Sequence, residues 1–137
     1  MALIHRISGE LYATDYCQVH QTDLKMVNRV NGWNGFNWTS FLKRKNYCLY
    51  KLKVKGDPGI QGLICMEPME GWVEVHLAES APWNIGSKEQ IFIGVGPHLF
   101  ALACQKSFKL GFEGFVAFHA KSQLIDHYQK TLGTVVI

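Results

Sequence analysis

Long apolar runs, paired cysteines and blocks of like charge are all missing from this 137-residue chain. No uncharged apolar stretch approaches the roughly 18 residues that a membrane-spanning helix needs. The start, Met1-Ala2-Leu3-Ile4-His5-Arg6, lacks an apolar core of the length an export signal requires. Cys17, Cys48, Cys65 and Cys104 stand far apart with no C-x-x-C pair. A soluble protein in a reducing cytoplasm, its cysteines packed as small hydrophobes, is therefore the expectation. Charged residues make up 18% of the chain and the net charge is +3, too little to announce a nucleic-acid partner. The densest basic segment, Lys43-Arg44-Lys45, is short enough to be a solvated helix end. An apolar content of 47% argues against disorder, and the length fits one domain spanning residues 1–137.

Several chemical signatures are also missing. No G-x-S-x-G elbow and no convincing Cys-His pair supports nucleophilic hydrolysis. His76, His98, His119 and His127 show no ligand spacing such as H-E-x-x-H, so no metal is expected. The aromatics Trp33, Phe36, Trp38 and Phe41 follow no clean period and read as a loop and short helix packed by rings.

What is present is a legible order of elements. Ile4 to Val19 reads as strand with a turn at Ser8-Gly9-Glu10. Thr22 or Asp23 is placed to cap a short helix through Val30, broken by Asn31-Gly32. Cys48, Tyr50, Leu52 and Val54 alternate with Leu49, Lys51 and Lys53, the pattern of a strand with one face toward a core. Gly56-Asp57-Pro58-Gly59 turns the chain into a second strand, Ile60 to Met66. A further turn over Glu67 to Gly71 leads into a third, Trp72 to Glu79, completing an antiparallel meander. Ser80 to Ile93 is a long connection of the functional kind. A helix follows from Pro97, favoured at the first helical position, to about Leu110, with Leu99, Phe100, Ala103, Cys104, Ser107 and Phe108 as its packing face and Gly111 as its stop. Gly114 to His119 is a buried strand, Ser122 to Leu132 a last helix, and Thr134 to Ile137 a last strand. The sum is a mixed α/β (α+β) layer structure.

The chemically informative segment is Gly94-Val95-Gly96-Pro97-His98-Leu99. Glycines allow positive φ and close approach of a ligand to the main chain, and the first amides of a helix point outward with the positive end of its dipole behind them. That combination suits a phosphate or pyrophosphate. A dinucleotide fingerprint would want a third glycine where Leu99 stands, and a P-loop would want Gly-Lys-Ser/Thr; neither is present.

These residues and the element order resemble the GNAT superfamily of acetyl-coenzyme A-dependent N-acetyltransferases. That family's phosphate loop reads Arg/Gln-x-x-Gly-x-Gly/Ala. Gly94 and Gly96 match its small positions, while Ile91 stands where Arg or Gln is usual. The resemblance runs over roughly residues 47–137, through the strand Phe115-Val116-Ala117-Phe118 to the helix bearing His127-Tyr128-Gln129-Lys130. It implies a mostly antiparallel central sheet flanked by helices. It also implies acetyl-coenzyme A as co-substrate on Ile93, Gly94, Val95, Gly96, His98 and Leu99, with Tyr128 near the coenzyme sulfur. A primary amine would then attack the thioester directly in a ternary complex. Glu79, at the end of the third meander strand, is the first candidate for the base and Glu74 the second. Trp83 and Asn84, in the loop after it, are candidates for the acceptor pocket. The family ends with two strands after its last helix where this chain reaches Ile137 after one. An open acceptor site for a small-molecule or peptide amine, a second subunit completing the site as a homodimer, and a noncatalytic coenzyme A-binding or protein-interaction module all fit that difference.

Overall fold

The computed structural model describes residues 1–86 and 89–118. The strands are β1 (Ala2–His5), β2 (Leu11–Gln18), β3 (Cys48–Val54), β4 (Gly62–Pro68), β5 (Val73–Ser80), β6 (Phe92–Ile93) and β7 (Val116–Phe118); the α-helices are α1 (Trp38–Leu42) and α2 (Val95–Lys109). They form a seven-stranded sheet in the order β6-β1-β2-β3-β4-β5-β7. Neighbours are antiparallel except β5 and β7, which run parallel. The expected last helix and strand, 122–132 and 134–137, lie outside the described residues.

The meander forms where alternation and turn residues place it. Within β4, Gly62-Leu63-Ile64-Cys65-Met66 is buried without interruption, because this central strand is covered on both faces. Ile64 and Met66 join Leu52, Val54, Val73, Val75, Val95, Leu99 and Leu102 in a core beneath α2. Leu63 and Cys65 join Val19, Leu24, Trp33, Trp38, Leu49, Leu77 and Ala81 in a second core on the opposite face.

One irregularity sets the rest of β5. Cys65 lies opposite Leu77, but Met66 lies opposite Val75, so β5 carries an extra residue, His76, at a bulge. Upstream, Val73 and Val75 face the α2 core, whereas downstream Leu77 faces the second core. A bulge shifts the two-residue period by one. Glu79, in phase with Leu77, is thereby carried to the face opposite α2.

Several expectations are corrected. The helix expected through Val30 is instead two 3-10 helices, Gln21–Met26 and Arg29–Asn31. Asp23 is not the N-cap: its Oδ2 reaches back to accept the His20 amide at 2.7 Å. Asn28 donates to Lys25 O at 3.1 Å and accepts the Asn31 amide at 3.0 Å, dividing the segment by local side-chain bonds. Helix α2 begins two residues earlier than expected, at Val95, which puts Pro97 third and His98 fourth. Pro97 is tolerated there because first-turn amides have no partner within the helix. Leu102 is buried in α2, whereas Phe108 is exposed; its ring closes on Gly114 instead. The 80–93 connection contains the short strand β6, which pairs with β1 through Ile93 to Ile4 and Phe92 to His5.

Gly62 lets α2 sit down on the sheet. A Cβ there would lie 2.9 Å from Val95 Cγ1 and 3.2 Å from Leu99 Cδ1, closer than carbon atoms pack. Gly62→Ala should therefore cost about 1–3 kcal/mol by overpacking, read as a lower urea midpoint with an unchanged m-value.

Candidate functional site

The start of α2 is built from backbone. Gly94 is its N-cap at φ 98°, ψ 12°, in the left-handed region. The carbonyl of Gly94 accepts from the His98 amide at 3.0 Å and lies 2.8 Å from His98 Nδ1. Because a carbonyl only accepts, this contact places the ring proton on Nδ1. His98 Nε2 is buried and has no hydrogen-bond partner among the described residues. Pro97 has no N–H to offer. The amides of Val95 and Gly96 remain, with no acceptor among the described residues, at the positive end of a 15-residue helix. Leu99 is buried and anchors the first turn, while Ile93 is exposed beside it.

This helix start stands over the C-terminal end of β5, since Gly62, which receives Val95 and Leu99, is the cross-strand partner of Ser80. Among the described residues β7 pairs with β5 only over Val73 to Val75. Ala81 donates to Gln61 O at 3.0 Å, so alternation turns the backbone of Ser80 toward the β7 side of the sheet. The main chain of Ser80 at the end of β5 thus faces the β7 side of the sheet.

On the other face, Glu79 is 2% exposed. Its Oε1 accepts Trp38 Nε1 at 2.8 Å and its Oε2 accepts the Asn34 amide at 2.8 Å. A buried carboxylate needs such donors, since an uncompensated buried charge is costly. Here both come from the segment entering α1. Glu74, the alternative base, lies toward the other end of β5, opposite Glu67.

Trp83 and Asn84 are joined through Gln61. Trp83 Nε1 donates to Gln61 Oε1 at 2.9 Å; Asn84 Nδ2 donates to the same oxygen at 2.9 Å and to Gln61 O at 3.2 Å; Asn84 Oδ1 accepts the Phe92 amide at 3.0 Å. The amide of Asn84 is thus engaged within the chain. The ring of Trp83 stands edge-on to Trp33, centroids 5.9 Å apart at 85°. Gln61 escaped the sequence reading, although a lone polar residue inside Ile60-Gln61-Gly62-Leu63 was a signal.

Other ionisable groups fall into place around this frame. Burial would raise the Asp23 carboxyl, but Lys51 Nζ at 2.7 Å and the His20 amide outweigh it and hold the group below its ordinary 3.8. Burial pushes the Cys65 thiol up to about 12, with Cys48 and Glu67 adding to it, and burial also raises Cys104. Neither thiol is an activated nucleophile. Glu67, Glu74 and His76 bring one donor atom each within 4.8 Å of one another. Strand pairing assembles that trio, so no local spacing could reveal it. In it His76 Nε2 lies 2.8 Å from Glu67 Oε1.

No family profile and no curated protein sequence matches the chain. Likeness emerges in the fold. A transcriptional regulator from Bacillus halodurans C-125 superposes at a TM-score of 0.59 with 12% identity, over 88% of this chain and 92% of that one. The ribosomal-protein-S18-alanine N-acetyltransferase from Escherichia coli does so at 0.55 and 12%, over 85% and 75%. AAC(6')-Iy, solved with the bisubstrate analogue CoA-S-monomethyl-acetylneamine, does so at 0.55 and 15%, over 88% and 89%. The fold is that of the GNAT acetyltransferases.

Within this GNAT fold, α2 with its Gly94 cap connects β5 to β7, the order expected from the sequence. Tyr128 lies outside the described residues, as do His119 and His127. No described helix is long and apolar enough to cross a membrane.

Two measurements check the electrostatics. Trp38→Phe keeps the ring but deletes a donor to a buried carboxylate; it should cost about 1.5–3 kcal/mol, the value of a hydrogen bond to a charged group, in urea unfolding. For Asp23, whose folded pKa is depressed, the stabilisation is present above pH 3.8 and lost as pH falls through the lower folded value. The stability difference between wild type and Asp23→Asn should therefore be largest above that pH and close below it, read from urea midpoints across an acid series.

Proposed function

We propose that the chain is an N-acetyltransferase acting on a primary amine, with acetyl-coenzyme A as co-substrate. The observation that carries the reading is the pair of amides, Val95 and Gly96, that have no acceptor among the described residues and stand over the end of β5. These groups fit a pyrophosphate: two N–H donors, the helix dipole, and a glycine cap with no side chain in the way. The departure at Ile91 leaves that backbone cradle intact. Ile93, Gly94, Val95, Gly96, His98 and Leu99 are assigned to hold the coenzyme, Val95 and Gly96 through their amides and Leu99 by fixing the first turn. Bound acetyl-coenzyme A supplies a thioester whose carbon–sulfur bond breaks as the amine nitrogen bonds to the acyl carbon, the nitrogen's proton ending on the thiol.

The remaining tasks fall to the chain. Glu79 is assigned the base. Each of its oxygens keeps a lone pair beyond the bonds to Trp38 and Asn34, and those two bonds fix its position. The backbone N–H at the end of β5 is assigned to the developing oxyanion. Tyr128, on the strength of the sequence resemblance, is assigned to hold the proton for the departing sulfur. Trp83 and Asn84 are assigned to the acceptor side, Trp83 by its ring and Asn84 by fixing the loop through Gln61 and Phe92.

A second reading, a noncatalytic coenzyme-binding or protein-interaction module, draws on the firm anchoring of both Glu79 oxygens. One fold neighbour is described as a transcriptional regulator. One experiment separates the two. Acetyl-coenzyme A at a hundredfold excess over its Kd should stabilise the native state by about 2.7 kcal/mol, a rise of several degrees in Tm, with thiol release when amines are added. Gly94→Val, forcing a β-branched residue to φ 98°, should abolish most of the rise. No rise in the wild type would defeat the enzyme reading; a rise without thiol release across amines would favour the second.

A further inference from the structure

A cavity of about 480 Å³ opens beside the end of β5, between the Gln21–Met26 helix, Trp33, the turn at Pro58 to Ile60, and Trp83. It lies with the second core, across the sheet from α2. Both structures nevertheless meet at one end of β5. Val95 and Leu99 press on Gly62, the partner of Ser80, while Trp83 follows Ala81 and Trp33 precedes Asn34, the residue that donates to Glu79. Pro82 closes on Gly32, leaving 3.1 Å for a Cβ there, so the two walls are joined. Trp33 of the cavity wall is thus next in sequence to the residue whose amide fixes Glu79, on the face opposite the coenzyme helix.

We propose that this cavity is the acceptor pocket and that it takes a primary amine carried on an apolar body, aromatic or branched aliphatic, rather than a polycation; the proposal rests on the acetyl-transfer reading above. Its volume is that of a small-molecule site. Its apolar walls are Met26, Val27, Trp33, Pro58, Ile60 and Trp83, with Thr22, Asp23 and Asn31 as polar side chains among them; the two indoles meet edge to face, leaving ring surface for a flat or branched group. Among the described residues Asp23 is the one carboxylate on the wall, and it is already neutralised. Its Oδ1 holds Lys51 Nζ at 2.7 Å and its Oδ2 holds the His20 amide. A polyamine or aminoglycoside carries several ammonium groups that need acceptors on burial, and this wall offers no uncommitted carboxylate to meet them.

The test titrates phenethylamine, spermidine and kanamycin into the full chain without acetyl donor, reading tryptophan fluorescence, and then measures thiol release with acetyl-coenzyme A. Phenethylamine should give a saturable change that spermidine and kanamycin do not, and Trp83→Ala should weaken it by about tenfold or more, the factor that 1.4 kcal/mol of lost ring contact produces. Should Trp83→Ala fold poorly, Met26→Glu serves instead: Met26 is 66% exposed, so the change spares the core. It adds an unpaired carboxylate that should raise spermidine binding at the expense of phenethylamine. Equal or tighter binding of either polycation to the wild type, or no saturable phenethylamine signal, overturns the proposal. Turnover of polycations alone would overturn it while leaving acetyl transfer standing. Phenethylamine binding that Trp83→Ala weakens, but without turnover, would leave the pocket standing and remove the transfer reading.

Discussion

At His76, β5 carries one more residue than the stretch of β4 beside it, and the side chains downstream change faces as a result. Without that shift Leu77 and Glu79 would point with Val73 and Val75 into the core under α2, where a carboxylate would meet only apolar groups. With it, Glu79 enters the opposite face, and the chain before α1 supplies two donors to receive it. The cost of a bare buried carboxylate is several kcal/mol, so the position of residues 34–38 follows from the bulge as much as from aromatic packing. The Trp38 ring fills the second core while its N–H satisfies the charge. Position and compensation are therefore one arrangement.

The start of α2 obeys the reverse logic. There the chain leaves donors open. Gly62 draws the helix against the sheet, Gly94 takes up a left-handed cap, and Pro97 removes a third-position N–H that would otherwise stand unbonded. Two amides remain without acceptors among the described residues, in a protein whose Glu79, Gln61 and Asn84 are bonded with care. Backbone donors collected at a helix start are what an anion with several oxygens can use. The contrast between bonded side chains on one face and these amides on the other is the physical basis for proposing the coenzyme on the α2 side.

How legible this was depends on which level of structure carried the signal. The meander could be read because alternation in Cys48 to Val54, the apolar run of β4 and the Gly-Asp-Pro-Gly turn are local properties. The Gly94 to Gly96 loop could be read for the same reason: glycine is the local mark of a backbone-built site. The bulge at His76 could not, because Val73-Glu74-Val75-His76-Leu77 alternates without a break and only the register against β4 reveals the extra residue. β6 was hidden because a two-residue strand has no period of its own and exists only through β1. The start of α2 was misplaced by giving Pro97 the first helical position, when a proline is tolerated anywhere in the turn whose amides are unbonded. Asp23 was recognised as a capping residue but placed at the N-cap, whereas it stands three residues in and accepts the amide of the N-cap His20.

The two halves of the site therefore differ in kind. The half proposed for the coenzyme is made of main chain and glycine, so it needs few side chains and is compatible with the 12–16% identity to the solved structures of this fold. The half proposed for the acceptor is made of side chains from distant parts of the chain: Trp33 and Met26 from the first third, Ile60 from the turn before β4, and Trp83 from the loop after β5. No two of these are held together by a local pattern, and Gln61, which ties Trp83 and Asn84 to the sheet, sits inside a strand-like apolar run. A fold shared with acetyltransferases does not fix a second substrate, which the proposed reading leaves to contacts that only the tertiary structure brings together. In the proposed pocket those contacts are mostly aromatic and aliphatic, and the one carboxylate among the described residues is already held by Lys51.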